Sequence, residues 1–217
     1  MIIAIDGPSG SGKSTTAKML AQYLNITHLD TGAMYRVVTW GLMRKNINIR
    51  NLEKVKTFLK KAQISYENSN EIFLNGKMVS LDIRKKEITA NVSAVSSVKE
   101  VREFLVKIQR QIGKNIDCVI EGRDIGSVVF PKADFKFFLT ADLDIRAKRR
   151  KNELEKIGED VTIDEIRASI KKRDLIDSTR KLSPLKRPKD AIEIDSTNLT
   201  IAEQNDKIMN IIRKINK

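Results

Sequence analysis

A chain of 217 residues with 41% hydrophobic and 32% charged side chains, ten glycines and four prolines has the make-up of one well-buried domain, and excludes collagen-like and disordered classes. The formal charge of +13 predicts a surface that attracts anions, leaving nucleic acid, acidic membrane and phosphorylated metabolites open. Cys118, the single cysteine, rules out an intramolecular disulfide, and with neither a membrane span nor a signal-peptide core in the sequence a soluble cytoplasmic protein is expected.

Ile2 to Ile5 is a short apolar run ending at Asp6, followed by a glycine-rich turn and then by Ala17, Leu20, Ala21 and Leu24 at helical spacing. That order reads as strand, loop, helix. Helical patterns follow over roughly Gly32 to Lys45, Val98 to Ile112, Ile145 to Lys156, Ile163 to Leu175 and Ile201 to Ile215. Further apolar runs at Cys118 to Ile120, Phe135 to Leu139 and Ala191 to Ile194 read as buried strands. Strands alternating with helices predict an α/β fold with a parallel sheet wound on both faces. Between Ile64 and Val79 the pattern changes: Ile64, Tyr66, Ile72, Leu74 and Met78 alternate around Asn75-Gly76, which predicts a small antiparallel insertion with a hairpin turn.

The segment Gly7-Pro8-Ser9-Gly10-Ser11-Gly12-Lys13-Ser14 fits G-x-x-x-x-G-K-[ST] and lies between the first strand and the first helix. Glycines let successive backbone N–H groups turn inward, and the helix N-terminus adds partial positive charge. Lys13 supplies an ammonium for the outer phosphates, and the Ser14 hydroxyl is placed to ligate Mg²⁺. ATP and Mg²⁺ are therefore the expected ligands, bound by Gly7 to Ser14 with Thr15. Neither Asp-x-x-Gly nor Asn-Lys-x-Asp occurs, which argues against a GTPase.

Two further segments stand at predicted strand ends, Asp30-Thr31-Gly32-Ala33-Met34-Tyr35-Arg36 and Glu121-Gly122-Arg123-Asp124, the edge where open α/β sheets bind ligands. Arg36, Arg102 and Arg123 are candidates for a second phosphate site, because planar guanidinium groups grip phosphate oxygens in pairs. Taken singly, each also reads as a surface ion pair.

With Val129-Phe130-Pro131 and Arg173-Asp174 through Asp177-Ser178-Thr179-Arg180, these segments resemble the bacterial cytidylate kinases, and the resemblance runs from the first strand to the last helix. It implies a five-stranded parallel P-loop sheet with helices on both faces, a nucleotide-binding insertion over about 56–96 and a helical lid over about 146–173. It implies transfer of the γ-phosphoryl group of ATP to CMP or dCMP. Arg36, Arg102 and Arg123 fall to the acceptor nucleotide, with Thr31 and Tyr35 beside them; Ser93, Asp124 and Arg180 to the base; Arg173 and Asp177 to the sugar and phosphate. Lys13, Arg123, Arg149, Arg150 and Arg173 become the catalytic set.

Cytosine agrees with such a base site, since its amino donor and its acceptors at N3 and O2 need one acceptor and several donors from the protein. The cations Arg146, Lys148, Arg149, Arg150 and Lys151 read either as a solvated helix face or, by the resemblance, as lid residues that close over ATP. Substitution of Arg149 or Arg150 is expected to lower turnover more than CMP binding. Glu121 stays open between contacting magnesium, directly or through water, and ordering the arginines. His28, without an evident partner, reads as structural. A kinase for another acceptor such as shikimate shares the loop but not the acceptor residues. A nucleic-acid-binding protein lacks support, because no interleaving of aromatic and basic residues appears. Partners are thus expected to be small molecules only, with no nucleic acid and no membrane, and the chain a monomer.

Overall fold

The computed structural model describes residues 1–67, 71–156 and 158–215. By compactness the chain divides into two units, one of residues 1–29 with 116–217 and the other of residues 30–115.

The first unit is built on a parallel sheet of five strands, in the order β2 (Thr27–Asp30), β6 (Cys118–Gly122), β1 (Ile2–Asp6), β7 (Phe135–Thr140), β8 (Ile192–Asp195). β1 is central, pairing Ile3 with Val119 and Phe135, and Ile5 with Glu121 and Phe137. A central parallel strand is covered on both faces, which is why Ile3, Ala4 and Ile5 form a continuous apolar run. One face packs on α1 (Lys13–Leu24) and α8 (Ile201–Ile215), where Leu20, Ile208 and Ile212 meet Ile3, Ile5, Val119 and Phe137. α6 (Leu143–Glu155) and α7 (Ile163–Thr179) form a hairpin with its own core of Ala147, Val161, Ile166 and Ile170. α7 begins at a capping box in which Thr162 and Glu165 satisfy each other's backbone N–H groups.

The second unit holds α2 (Thr31–Arg44), α3 (Leu52–Lys61), the antiparallel sheet β3 (Ile64–Glu67), β4 (Glu71–Leu74), β5 (Lys77–Met78), then α4 (Lys86–Ser96) and α5 (Lys99–Asn115). The turn at Asn75-Gly76 has φ of 52° and 77°, the left-handed pair that a two-residue hairpin requires. Gly41 lets α2 approach closely: a Cβ there would lie 2.5 Å from Phe58 and 2.8 Å from Leu74.

The sequence pattern did not predict α3 and α4. α3 exposes a lysine-rich surface and buries only Val55, Phe58 and Leu59, too few apolar positions to stand out. α4 buries Ile88, Val92 and Val95, residues that favour strands by intrinsic preference and are held helical by packing. α7 continues a turn beyond Leu175 to Thr179, which carries Asp177 onto the helix. Ile125–Val129 forms a π-helical turn directly after Asp124. Among the described residues no helix is long and apolar enough to cross a membrane.

Candidate active site

The phosphate loop leaves β1 at Gly7, where φ is 149° and a Cβ would sit 2.1 Å from the carbonyl oxygen of Leu139 on β7. Only glycine fits there. The loop ends at Gly12, also at positive φ, which serves as the N-cap of α1 without any side-chain cap. The first-turn N–H groups of α1 are thereby left for an anion.

Lys13 lies folded into this loop, its Nζ donating to the carbonyl oxygen of Pro8 at 2.6 Å and to Ser11 Oγ at 3.2 Å. Burial, and next to it the guanidinium of Arg123, hold the ammonium well below the usual lysine range. An anion entering the loop would favour the charged form. Ser14 Oγ donates to Glu121 Oε2 at 2.6 Å, and Glu121 Oε1 faces His28 Nε2 at 3.0 Å. Ser9 is held from both sides of its peptide: its N–H donates to Asp174 Oδ1 at 3.0 Å, and its carbonyl accepts from Arg146 Nη1 at 2.9 Å. Arg146 and Asp174 are themselves an ion pair.

Asp6, at the end of β1, is buried and accepts the N–H groups of Ile125 and Gly126 at 2.9 and 2.8 Å. Burial pushes its carboxyl up to about 6, with those two hydrogen bonds opposing. The segment Arg123-Asp124 is thus moored to the strand that launches the loop.

Around it the first unit gathers five of the residues singled out in the sequence. Asp177 accepts from Arg123 Nε at 3.0 Å and lies 3.8 Å from Arg180 and 4.0 Å from Arg173. Arg180 also stands 3.6 Å from Asp124. Asp124 and Asp177 are almost wholly buried; Asp177 offsets the repulsion among the three guanidinium groups around it, and Asp124 adds a counter-charge beside Arg180. The longer α7 explains this: Arg173 and Asp177 are one helical turn apart, and Arg180 follows as the C-cap.

In the second unit Thr31, Tyr35, Ser93 and Arg102 are buried. The Arg102 guanidinium lies over the Tyr35 ring at 5.5 Å and donates to the carbonyl of Ser96 at 3.2 Å. Arg36 stands by Gly32, its Nη1 3.4 Å from where a Cβ would lie.

The α6 arginines divide in a way spacing did not predict. Arg149 is held by Ser196, through Oγ at 3.0 Å and the carbonyl at 2.7 Å, and by the Leu199 carbonyl at 3.4 Å. Arg150 pairs with Glu153 on the exposed surface at 2.9 Å. Arg146, not selected from the sequence as a catalytic residue, is the α6 cation bonded to the loop. Spacing alone does not mark Asp6 or Asp174 either, which lie within the motifs next to Gly7 and Arg173. His28 does have a partner, Glu121, which lies on the neighbouring strand but 93 positions away along the chain.

No group of three or more His, Cys, Asp or Glu suited to a metal occurs among the described residues. A hydroxyl beside a carboxylate nonetheless suits a hard cation that takes its other ligands from phosphate and water. Ser14, donating its proton to Glu121, keeps its lone pairs for such an ion.

The family described as Cytidylate kinase matches residues 3–214. A cytidylate kinase of Clostridium botulinum (strain Langeland) is 49% identical, covering 98% of this chain and 97% of the relative. One of Caldanaerobacter subterraneus subsp. tengcongensis is 50% identical, covering 99% and 96%. Among solved structures, an uncharacterized protein from Eubacterium ventriosum is similar in fold, with a TM-score of 0.53 at 17% identity, over 99% of this chain and 98% of that one. The chain belongs to the cytidylate kinase family.

Proposed function

We propose that this protein transfers the γ-phosphoryl group of ATP to CMP or dCMP, giving ADP and CDP or dCDP. The observation that carries the reading is the buried cluster of Arg123, Asp124, Arg173, Asp177 and Arg180, present in the same unit as a phosphate loop. Family membership supports it. Gly7 to Thr15 bind the triphosphate of ATP. Arg123 and Arg173 meet the transferring phosphoryl group, while Asp124 and Arg180 read the base. Thr31, Tyr35, Arg36, Ser93 and Arg102 are proposed CMP contacts on the strength of the family. Residues about 56–96 act as the acceptor-binding insertion and about 146–173 as the lid, with Arg149 and Arg150 closing on ATP.

The acceptor is already a phosphate anion, so no side chain need remove a proton before attack. The difficulty is charge: two anions approach in line while negative charge redistributes on the group between them. Lys13 leaves its contact with Pro8 for the phosphates, and the arginines neutralise the acceptor. Bound Mg²⁺, held by Ser14, phosphate oxygens and water, supplies further neutralisation of the triphosphate. Asp124 accepts from the cytosine amino group and Arg180 donates to its ring acceptors; uracil inverts that pattern and leaves buried polar groups unpaired. The protein works as a cytoplasmic monomer in this reading.

The test is ADP release in a coupled assay with CMP, dCMP, UMP, AMP and shikimate as acceptors. Turnover at least about 10²-fold higher in kcat/KM with CMP or dCMP is expected. Preference for any other acceptor overturns the assignment.

A further inference from the structure

We infer that Asp174 is a positioning residue for ATP: paired with Arg146, it holds the peptide between Pro8 and Ser9 of the phosphate loop in the orientation that receives the triphosphate. The inference rests on the proposed binding of ATP at that loop. It gives the hairpin of α6 and α7 a part in shaping the loop as well as covering it.

The hairpin meets the loop at two adjacent residues. Asp174 Oδ1, on α7, accepts the N–H of Ser9 at 3.0 Å, and its other oxygen pairs with Arg146 on α6. Arg146 Nη1 also donates to the Ser9 carbonyl at 2.9 Å, while its Nε is tied to the carbonyl of Ala141 at 2.9 Å. At Gly10, where φ is 76°, a Cβ would lie 3.1 Å from both the Cβ and the carbonyl oxygen of Arg146. α6 therefore stands directly behind the loop, and its buried guanidinium fixes where the carboxylate sits.

The N–H that Asp174 receives shares its peptide plane with the Pro8 carbonyl. That carbonyl accepts from Lys13 Nζ at 2.6 Å and from Ser11 Oγ at 3.1 Å. A trans peptide is planar with its N–H and C=O on opposite sides, so Asp174 at one edge and Lys13 at the other set a single rotation. Positive φ at Gly7, Gly10 and Gly12 lets the loop take this shape, and the same freedom lets it depart from it. Without the carboxylate the peptide loses the acceptor of its N–H, and ATP has to order the loop as it binds, which weakens affinity.

The sign of the effect separates positioning from charge. A carboxylate close to a triphosphate repels it, so charge alone predicts that losing Asp174 tightens ATP binding. Positioning predicts the opposite.

The experiment is calorimetric titration of the full chain with a non-hydrolysable ATP analogue in excess Mg²⁺, and separately with CMP. Asp174→Ala is expected to bind the analogue ~10-fold more weakly, with CMP affinity within about twofold of wild type. Asp174→Asn, which keeps an oxygen for the Ser9 N–H but no charge, should bind the analogue within about threefold of wild type. Should the alanine variant fail to fold, Asp174→Leu, similar in branching and unable to accept a hydrogen bond, takes its place with the same expectation. Unchanged or tighter analogue binding without the carboxylate, an equal loss for CMP, or an asparagine variant as weak as the alanine one overturns the inference and leaves the loop assignment standing. A wild-type protein that does not bind the analogue overturns both.

Discussion

Between Gly7 and Ser14 the groups available to an anion are backbone N–H groups and one ammonium, all supplied by consecutive residues. Around Asp177 they are guanidinium groups drawn from the residue that follows β6, from α7 and from the residue that caps α7. Glycine conformations shape the loop, and the Arg146–Asp174 ion pair holds Ser9 within it. The guanidinium groups of the cluster repel one another, and the buried carboxylates of Asp124 and Asp177 offset that repulsion. Asp6 joins the two, ending the strand that opens the loop while receiving the N–H groups that follow Asp124.

The difference predicts how each region breaks. Lys13→Ala removes the loop's single mobile charge and leaves its backbone intact. Steady-state kinetics should show kcat lowered by about 10³-fold, with the folded structure retained by circular dichroism. Asp177→Ala strikes the cluster instead. It takes from Arg123, Arg173 and Arg180 the counter-charge they share, and about 3 kcal/mol of stability should be lost in urea unfolding. Its KM for CMP should rise more than its KM for ATP. Equal rises would mean that the cluster does not serve the acceptor alone.

Asp6 gives the junction a pH signature of comparable size. Its carboxyl titrates near about 6 in the folded chain against 3.8 in the open one, so between those values the native state binds more protons than the unfolded state. Stability contributed by this group is therefore highest in acid and falls as pH rises, by about 3 kcal/mol in all at 1.36 kcal/mol per pH unit. Lys13 and Asp124 also act on this carboxyl, so the clean measurement is a comparison with Asp6→Asn. The variant should lack that part of the fall between about pH 4 and 6 in unfolding experiments. The smallest effect is expected at Arg150, whose exposed pair with Glu153 should contribute less than about 0.5 kcal/mol to stability. A larger loss in Arg150→Ala would mean that α6 relies on that pair.

β1 and β6 were legible because parallel β-strands buried on both faces are continuous apolar runs, as at Ile2 to Ile5 and Cys118 to Ile120. α3 and α4 were not, since their helicity comes from a few buried residues, Val55, Phe58 and Leu59 in one case and Ile88, Val92 and Val95 in the other. The cations of α6 teach the same lesson about the site. Their positions predicted a basic helix, but which arginine meets the loop depends on how α6 packs. Packing chose Arg146, with Asp174 of α7 as its partner.

The phosphate loop was therefore written in the sequence alone: its function depends on backbone conformation and on residues next to one another in the chain, and G-x-x-x-x-G-K-S between strand and helix specifies both. The family motifs named the arginines and acids that surround Asp177. Tertiary structure decided what holds each of them, because a side chain's partner is set by strand order and helix phase rather than by spacing. His28 is the clearest instance. Its meaning rests on Glu121, which only the pairing of β2 beside β6 brings within 3.0 Å.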